Sequence, residues 1–264
     1  MSNPALADMW VHPQLLRAPA AIPASLKALH KTARRQGKPM LVLVLHDETI
    51  PYKGCEGLII LRTSLLASQR LPNEWPLPYS WESSGAPFVP APEQPLPGIS
   101  FCGQVNAWRT ELIDALQAAP DIHTDFILQQ QFWGGKPQDP ALKNQFWQNL
   151  QSQPFALAPR GAGNFSMRFY QALSVGRIPV LIDTDMPLPL ADTLDWHNSI
   201  VLAASPAAAL AQIRQIVASG NLLHRQQRCY ELYHQHLSLQ QYLPTILPQL
   251  LRQWPRPTRR WWPW

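Results

Sequence analysis

The residues whose types and spacing could do chemistry gather in one stretch of the 264-residue chain. Residues 160–164 read Arg-Gly-Ala-Gly-Asn and are followed by Ser166, Arg168 and Gln171. Two glycines permit a tight turn or the close approach of a ligand. Asn164 or Ser166 suits the cap of a following helix. A helix amino terminus leaves N–H groups unpaired and carries partial positive charge, so it suits a phosphate. Arg160 at the mouth adds a bidentate donor. Arg168 and Gln171, three apart, share one face of that helix, and Phe165, Phe169, Ala172 and Leu173 share its packing face. The glycine spacing fits neither a Walker loop nor a dinucleotide fingerprint. A plain turn explains the residues as well as a phosphate loop does.

The elements around the loop must position it. Residues 154–158 are short and apolar, as in an interior parallel strand, and Pro159 ends them. The helix is expected to run to about Val175, with Gly176 in the left-handed position after it. Residues 178–182 form the next apolar strand. This is a βαβ unit with its loop at the carboxyl end of a strand, where open α/β sheets bind ligands.

These residues resemble the exostosin family of glycosyltransferases. The elements that carry the resemblance are Pro159-Arg160-Gly161, Ser166 to Phe169, Ala172-Leu173, Gly176 to Val180, Leu188-Pro189 and Asp195-Trp196. The resemblance implies two Rossmann-like domains facing a cleft, the GT-B arrangement, with the first domain abbreviated. It implies transfer of a sugar from a nucleotide diphosphate donor, a uridine diphosphate sugar, to a glycan or lipid-linked acceptor. Inversion at the anomeric carbon without a metal or other cofactor also follows from it. Arg160, Gly161, Gly163, Asn164, Ser166 and Arg168 would hold the donor, with Gln171 at the ribose. Where the family usually has glutamate, this chain has Gln171, which exchanges a double acceptor for one acceptor and one donor. A chain that binds a nucleotide sugar or glycan without turnover is therefore the competing reading.

Earlier in the chain, residues 40–45 read as a buried strand that ends at His46-Asp47-Glu48. That edge is where a base for the acceptor hydroxyl should stand, and Asp47 is preferred over Glu48 and His46. Residues 58–62 are a second strand, and residues 71–81 a proline-aromatic loop. Residues 83–97, rich in proline and without period, mark a linker that ends a first domain over 1–97. Residues 99–102 and 108–118 then open a second domain, 98–250, as a strand and a helix. Arg109, in the first turn of that helix, either reaches a diphosphate or is a solvated charge. Phe132 and Trp133 form an aromatic loop that could stack on a sugar, but aromatics at such positions are more often core, and they read as core here. Asp183-Thr184-Asp185 reads as loop and predicts no metal. Residues 240–251 read as a helical segment broken by prolines.

Composition limits the remaining classes. The net charge of +5 comes from 22 Lys and Arg against 17 Asp and Glu. It suits anionic substrates or an anionic membrane surface. Nucleic acid lacks a supporting motif. The 28 prolines argue for many rigid loops. Three scattered cysteines read as reduced thiols. The absence of a signal peptide or bilayer-length apolar run leads us to expect a cytoplasmic, bacterial enzyme. The tail 251–264 interleaves arginine and tryptophan, as a peripheral contact with the inner membrane face would.

Overall fold

A computed structural model describes residues 8–12, 24–53, 55, 57–79 and 83–254. Two parallel sheets organise them. The first holds β1 (Trp10–Val11), β2 (Met40–Val44), β3 (Leu58–Arg62) and β4 (Glu74–Pro76) in sequential order. Helix α1 (Ala24–Arg35) precedes β2. The second sheet is built from β5 (Gly98–Gln104), β6 (His123–Gln129), β7 (Phe155–Leu157), β8 (Ile178–Ile182) and β9 (Val201–Ala203). Its strand order is β6-β5-β7-β8-β9. Helices α2 (Ala107–Gln117), α3 (Pro140–Ser152), α4 (Met167–Ser174) and α5 (Pro206–Ala218) connect or follow these strands. Helix α6 (Leu222–Leu232), a π-turn over Tyr233–Leu237 and α7 (Leu239–Gln253) close the described chain. The protein is α/β with two parallel sheets.

The second sheet is apolar on both faces because helices cover both. Phe155, Leu157, Ile178 and Val180 are fully buried in one large core with Phe169, Leu173 and Ile213. Its strand order reverses direction between β5 and β7. Loops leave the carboxyl ends of those two strands in opposite directions, which opens a crevice there. Gly176 takes φ 69° after α4, as its position in the sequence demands.

Several expectations are corrected. Residues 71–81 are not all loop, because Glu74–Pro76 pairs with β3 as an edge strand. Glu74 is 1% exposed and forms an ion pair at 2.8 Å with the equally buried Arg62. Its carboxylate also accepts from the Tyr52 and Leu71 amides, so both charges are paired and hydrogen-bonded. Trp10–Val11 pairs in parallel with β2 as a short edge strand. Helix α7 runs unbroken through Pro244 and Pro248. Tyr242, Ile246 and Leu250, four apart, are buried against the first sheet beside Leu41, Ile59 and Leu61. Both prolines lie on the exposed face, where the carbonyls they leave unpaired are open to solvent. So residues 239–253, expected with the second unit, pack on the first.

The proline-rich segment 83–97 is strapped to the second unit. The Ala91 amide donates to Gln226 Oε1 at 2.8 Å, and Arg177 Nη1 donates to the Val89 carbonyl at 2.9 Å. The Tyr230 hydroxyl donates to the Ala86 carbonyl. Residues 255–264, the greater part of the basic tail, lie outside the described residues, as do 1–7 and 13–23.

One interlock joins the two sheets near the crevice. The Ser64 hydroxyl, just past β3, donates to the Asp47 carbonyl at 2.7 Å and accepts from the Asn164 amide at 2.9 Å. Asn164 Nδ2 donates to the Leu65 carbonyl at 2.9 Å. Ser64 is fully buried. Ser64→Ala is therefore expected to strand a buried N–H and lower stability by about 1–3 kcal/mol. A urea unfolding midpoint unchanged by the substitution would show that the interlock contributes nothing.

Candidate functional site

A cavity of about 830 Å³ lies where the carboxyl ends of the two sheets meet. From the first unit it is lined by Leu45, His46, Asp47, Thr63 and Tyr79. From the second it takes residues after β5, residues after β7 and the first turns of α4. It therefore sits at the β5/β7 switch point, and its size suits a ligand larger than a single sugar.

Arg168 and Gln171 dominate its second-unit wall, one helical turn apart on α4. Arg168 donates through Nη2 to the Cys102 carbonyl. Its guanidinium lies over the Phe101 and Phe146 rings, 4.4 and 5.6 Å from their centroids. No carboxylate pairs with it among the described residues. Its Nε is buried without a hydrogen-bond partner, and so is Nε2 of Gln171, a residue only 3% exposed. Burial, and then the nearby Arg109 charge, pull the Arg168 guanidinium down to about 9. It remains charged at neutral pH. Two buried donors without acceptors are costly to maintain, and a bound anion would satisfy both.

The other sequence-identified residues fall into three placements. Ser166 lines the cavity at the amino end of α4, and its hydroxyl makes no capping bond. The first N–H groups of that helix accordingly remain unpaired within the helix. Gly161 lines the cavity too, with its amide bonded to the Phe165 carbonyl at 3.0 Å. Arg109 lines the cavity and holds the loop: Nε and Nη2 donate to the Arg160 carbonyl at 3.1 and 2.7 Å. Its Nη1 donates to the Gln104 carbonyl at 2.6 Å. Burial first, then Arg160, lower its pKa.

Arg160, Gly163 and Asn164 stand elsewhere. The Arg160 guanidinium lies over the Trp108 ring at 5.6 Å, and the residue does not line the cavity. Asn164 is buried in the interlock with Ser64 and Leu65. Gly163 meets the first unit. A Cβ there would come within 2.9 Å of the Asp47 Cα and 2.6 Å of the Phe165 ring. That glycine serves close approach of two backbones.

On the first-unit wall, His46 and Asp47 line the cavity and Glu48 does not. The Glu48 amide donates to His46 Nδ1 at 3.0 Å. A neutral imidazole that accepts at Nδ1 carries its proton on Nε2, so there it donates. Asp47 is exposed, its carbonyl pinned by Ser64. Arg62 holds the following turn through the Glu48 and Ile50 carbonyls at 2.5 and 2.8 Å. The aspartates 183 and 185 are engaged within their own loop and with Ser68. The Asp185 carboxylate accepts from the Ser68 amide and hydroxyl, and Asp183 accepts from the Asp185 amide.

Sequence reasoning missed several lining residues. Tyr79 stacks on Phe165 with ring centroids 5.3 Å apart, across the two units. Phe132, read as core, is exposed in the cavity wall. Gln129, Cys102 and Asn106 also line it. Of these only Asn106 had a local signal: it caps α2, accepting from the Arg109 amide at 3.0 Å.

Gly103 tests the Arg168 placement. A Cβ on Gly103 would lie 2.5 Å from Arg168 Nη2. Gly103→Ala is thus expected to fold but to displace the guanidinium and weaken diphosphate affinity about ten-fold, one lost charge-assisted contact. Calorimetry with unchanged affinity would contradict the placement. Anion affinity should also be flat around neutral pH and fall as pH rises through about 9, where Arg168 loses its proton. Affinity that rises there would have the wrong sign.

Residues 99–218 match the Exostosin GT47 domain. The chain is 29% identical to mouse (Mus musculus) exostosin-like 1 over 168 residues, 61% of this chain and 22% of that protein. It is 26% identical to human (Homo sapiens) exostosin-like 1 over 205 residues, 73% of this chain and 28% of that protein. It therefore spans about a quarter of the length of these relatives. Among solved structures, a Thermobaculum terrenum O-GlcNAc transferase mutant has a TM-score of 0.44 at 12% identity, covering 86% of this chain and 55% of that one. Through residues 99–218, which carry the second sheet and the loop after β7, this chain is similar to the exostosin GT47 domain and to exostosin-like proteins.

Proposed function

We propose that this chain transfers a sugar from a nucleotide diphosphate donor, a uridine diphosphate sugar, to a hydroxyl of a glycan or lipid-linked acceptor. The observation that carries the reading is the pair of buried, unpartnered donors on α4, Arg168 Nε and Gln171 Nε2, in a cavity walled opposite by Asp47. The two sheets then act as the halves of a GT-B-type enzyme. Residues 1–97 form the acceptor side and 98–250 the donor side, with α7 returning to the first sheet.

Direct displacement with inversion needs charge stabilisation on one side and a base on the other. The acceptor oxygen attacks the anomeric carbon as the bond from that carbon to the diphosphate breaks. Negative charge grows on the departing diphosphate. Arg168, Arg109 and the first N–H groups of α4 face that charge without a metal ion. Gln171 bonds the ribose through its amide. Asp47 takes the proton from the acceptor hydroxyl. His46, in the tautomer set by Glu48, donates from Nε2 and orients the acceptor or the diphosphate.

Gln171 is the observation that favours a second reading, a donor-binding protein without turnover. Turnover separates the two. Asp47→Asn is expected to lower transfer by at least about 100-fold, the usual share of a general base, while uridine diphosphate affinity stays within two-fold. Full turnover in that variant would remove Asp47 from the mechanism. Binding without transfer or hydrolysis in the unaltered chain would favour the second reading.

A further inference from the structure

Phe132 is a large aromatic left in water. It is 60% exposed, yet it lines the cavity. It sits just beyond β6 in a short 3₁₀ turn, Phe132–Gly135, held in a demanding backbone conformation. Trp133, Gly134 and Gly135 all have positive φ, at 51°, 57° and 78°. For a bulky residue such as Trp133 this region is sparsely populated and persists only where packing enforces it. Here the enforcing contact is clear. Trp133 packs edge-on against Phe146 of α3, with centroids 5.1 Å apart, and a Cβ at Gly134 would meet Leu142 at 3.2 Å. The turn is clamped from below while its leading aromatic projects into solvent at the cavity. That combination presents a rigid flat face to a ligand.

The neighbours of that face say what it would hold. Phe132, Trp133, Phe146 and Gln129 all come from the second unit. The sugar to be transferred must face Asp47, which lies against Gly163 on the β7 side of the crevice. Phe132 stands beyond β6, the edge strand on the other side of β5. A ligand anchored by its diphosphate at Arg168 therefore has its nucleoside end available to this turn. Gln129 lines the cavity at the end of β6, and its amide offers one donor and one acceptor to the edge of a base.

We propose that Phe132 is the stacking platform for the nucleobase of the donor, with the Trp133–Gly135 turn built to hold it in place. The inference rests on the nucleotide-donor reading above and assigns the base end of that ligand. Base–aromatic stacking at this ring is worth roughly ten-fold in affinity, within the range such contacts supply.

Isothermal titration with uridine diphosphate, uridine monophosphate and inorganic pyrophosphate tests it in the unaltered chain, Phe132→Ala and Phe132→Trp. Phe132→Ala should bind both nucleotides roughly ten-fold more weakly and pyrophosphate unchanged, and Phe132→Trp should restore nucleotide affinity. The ring is exposed, so the alanine variant should keep its thermal midpoint. Nucleotide affinity untouched by Phe132→Ala, or pyrophosphate weakened as much as the nucleotides, would overturn the platform alone. An unaltered chain that binds pyrophosphate but gains nothing from the base would overturn it too. Failure of the unaltered chain to bind any of the three would overturn both this assignment and the donor reading beneath it.

Discussion

The whole site depends on one hydroxyl. Ser64 donates to the Asp47 carbonyl and accepts from the Asn164 amide, so the same atom anchors the first-unit turn and the second-unit loop. Hydrogen bonds to buried groups contribute modestly when made and cost more when left unmade. Here the unmade bond would free both walls of the cavity at once. Gly163 lets the two backbones approach, and Asp185 adds a second tie to Ser68. The loop after β7 therefore has two faces. Gly161 and Ser166 look into the cavity, while Gly163 and Asn164 look to the first sheet.

Electrostatics gives the cavity its character. Asp47 is the one carboxylate among its described lining residues, and Arg109 and Arg168 are its guanidinium groups. Arg109 is largely spent on the Arg160 and Gln104 carbonyls. Arg168 has one carbonyl, two aromatic faces and an unpaired Nε. Removing a cation from water without a counter-charge is expensive, and burial lowers its pKa for that reason. An anionic ligand relieves that cost. The contrast with Arg62 lies in charge: its Nε is also buried without a partner, but Glu74 balances its charge within the fold, and its Nη atoms hold the turn after Asp47.

Much of this was legible in the order of residues, for a physical reason. Interior parallel strands are short apolar runs, and 40–44, 58–62 and 178–182 could hardly be anything else. The βαβ unit around Arg168 was readable from its punctuation, Pro159 before the loop and Gly176 after the helix. What could not be read were contacts between distant segments. Nothing local to Asn164 says that it bonds Leu65, and nothing local to Arg160 says that its side chain lies over Trp108. Pro244 and Pro248 looked like helix breakers because local rules penalise proline, but the burial of Tyr242, Ile246 and Leu250 outweighs that penalty. Phe132 shows the converse: aromatics are usually core, and only the fold reveals one held in solvent.

The central claim is that Arg168 and Gln171 hold a nucleotide diphosphate without a metal. Thermal unfolding of the chain with saturating uridine diphosphate, in chelator, tests it most directly, because a ligand of the native state raises its stability by mass action. The account predicts a rise in midpoint that is unchanged by added divalent ions and lost in Arg168→Ala. A rise that requires the metal, or that survives Arg168→Ala intact, would contradict it.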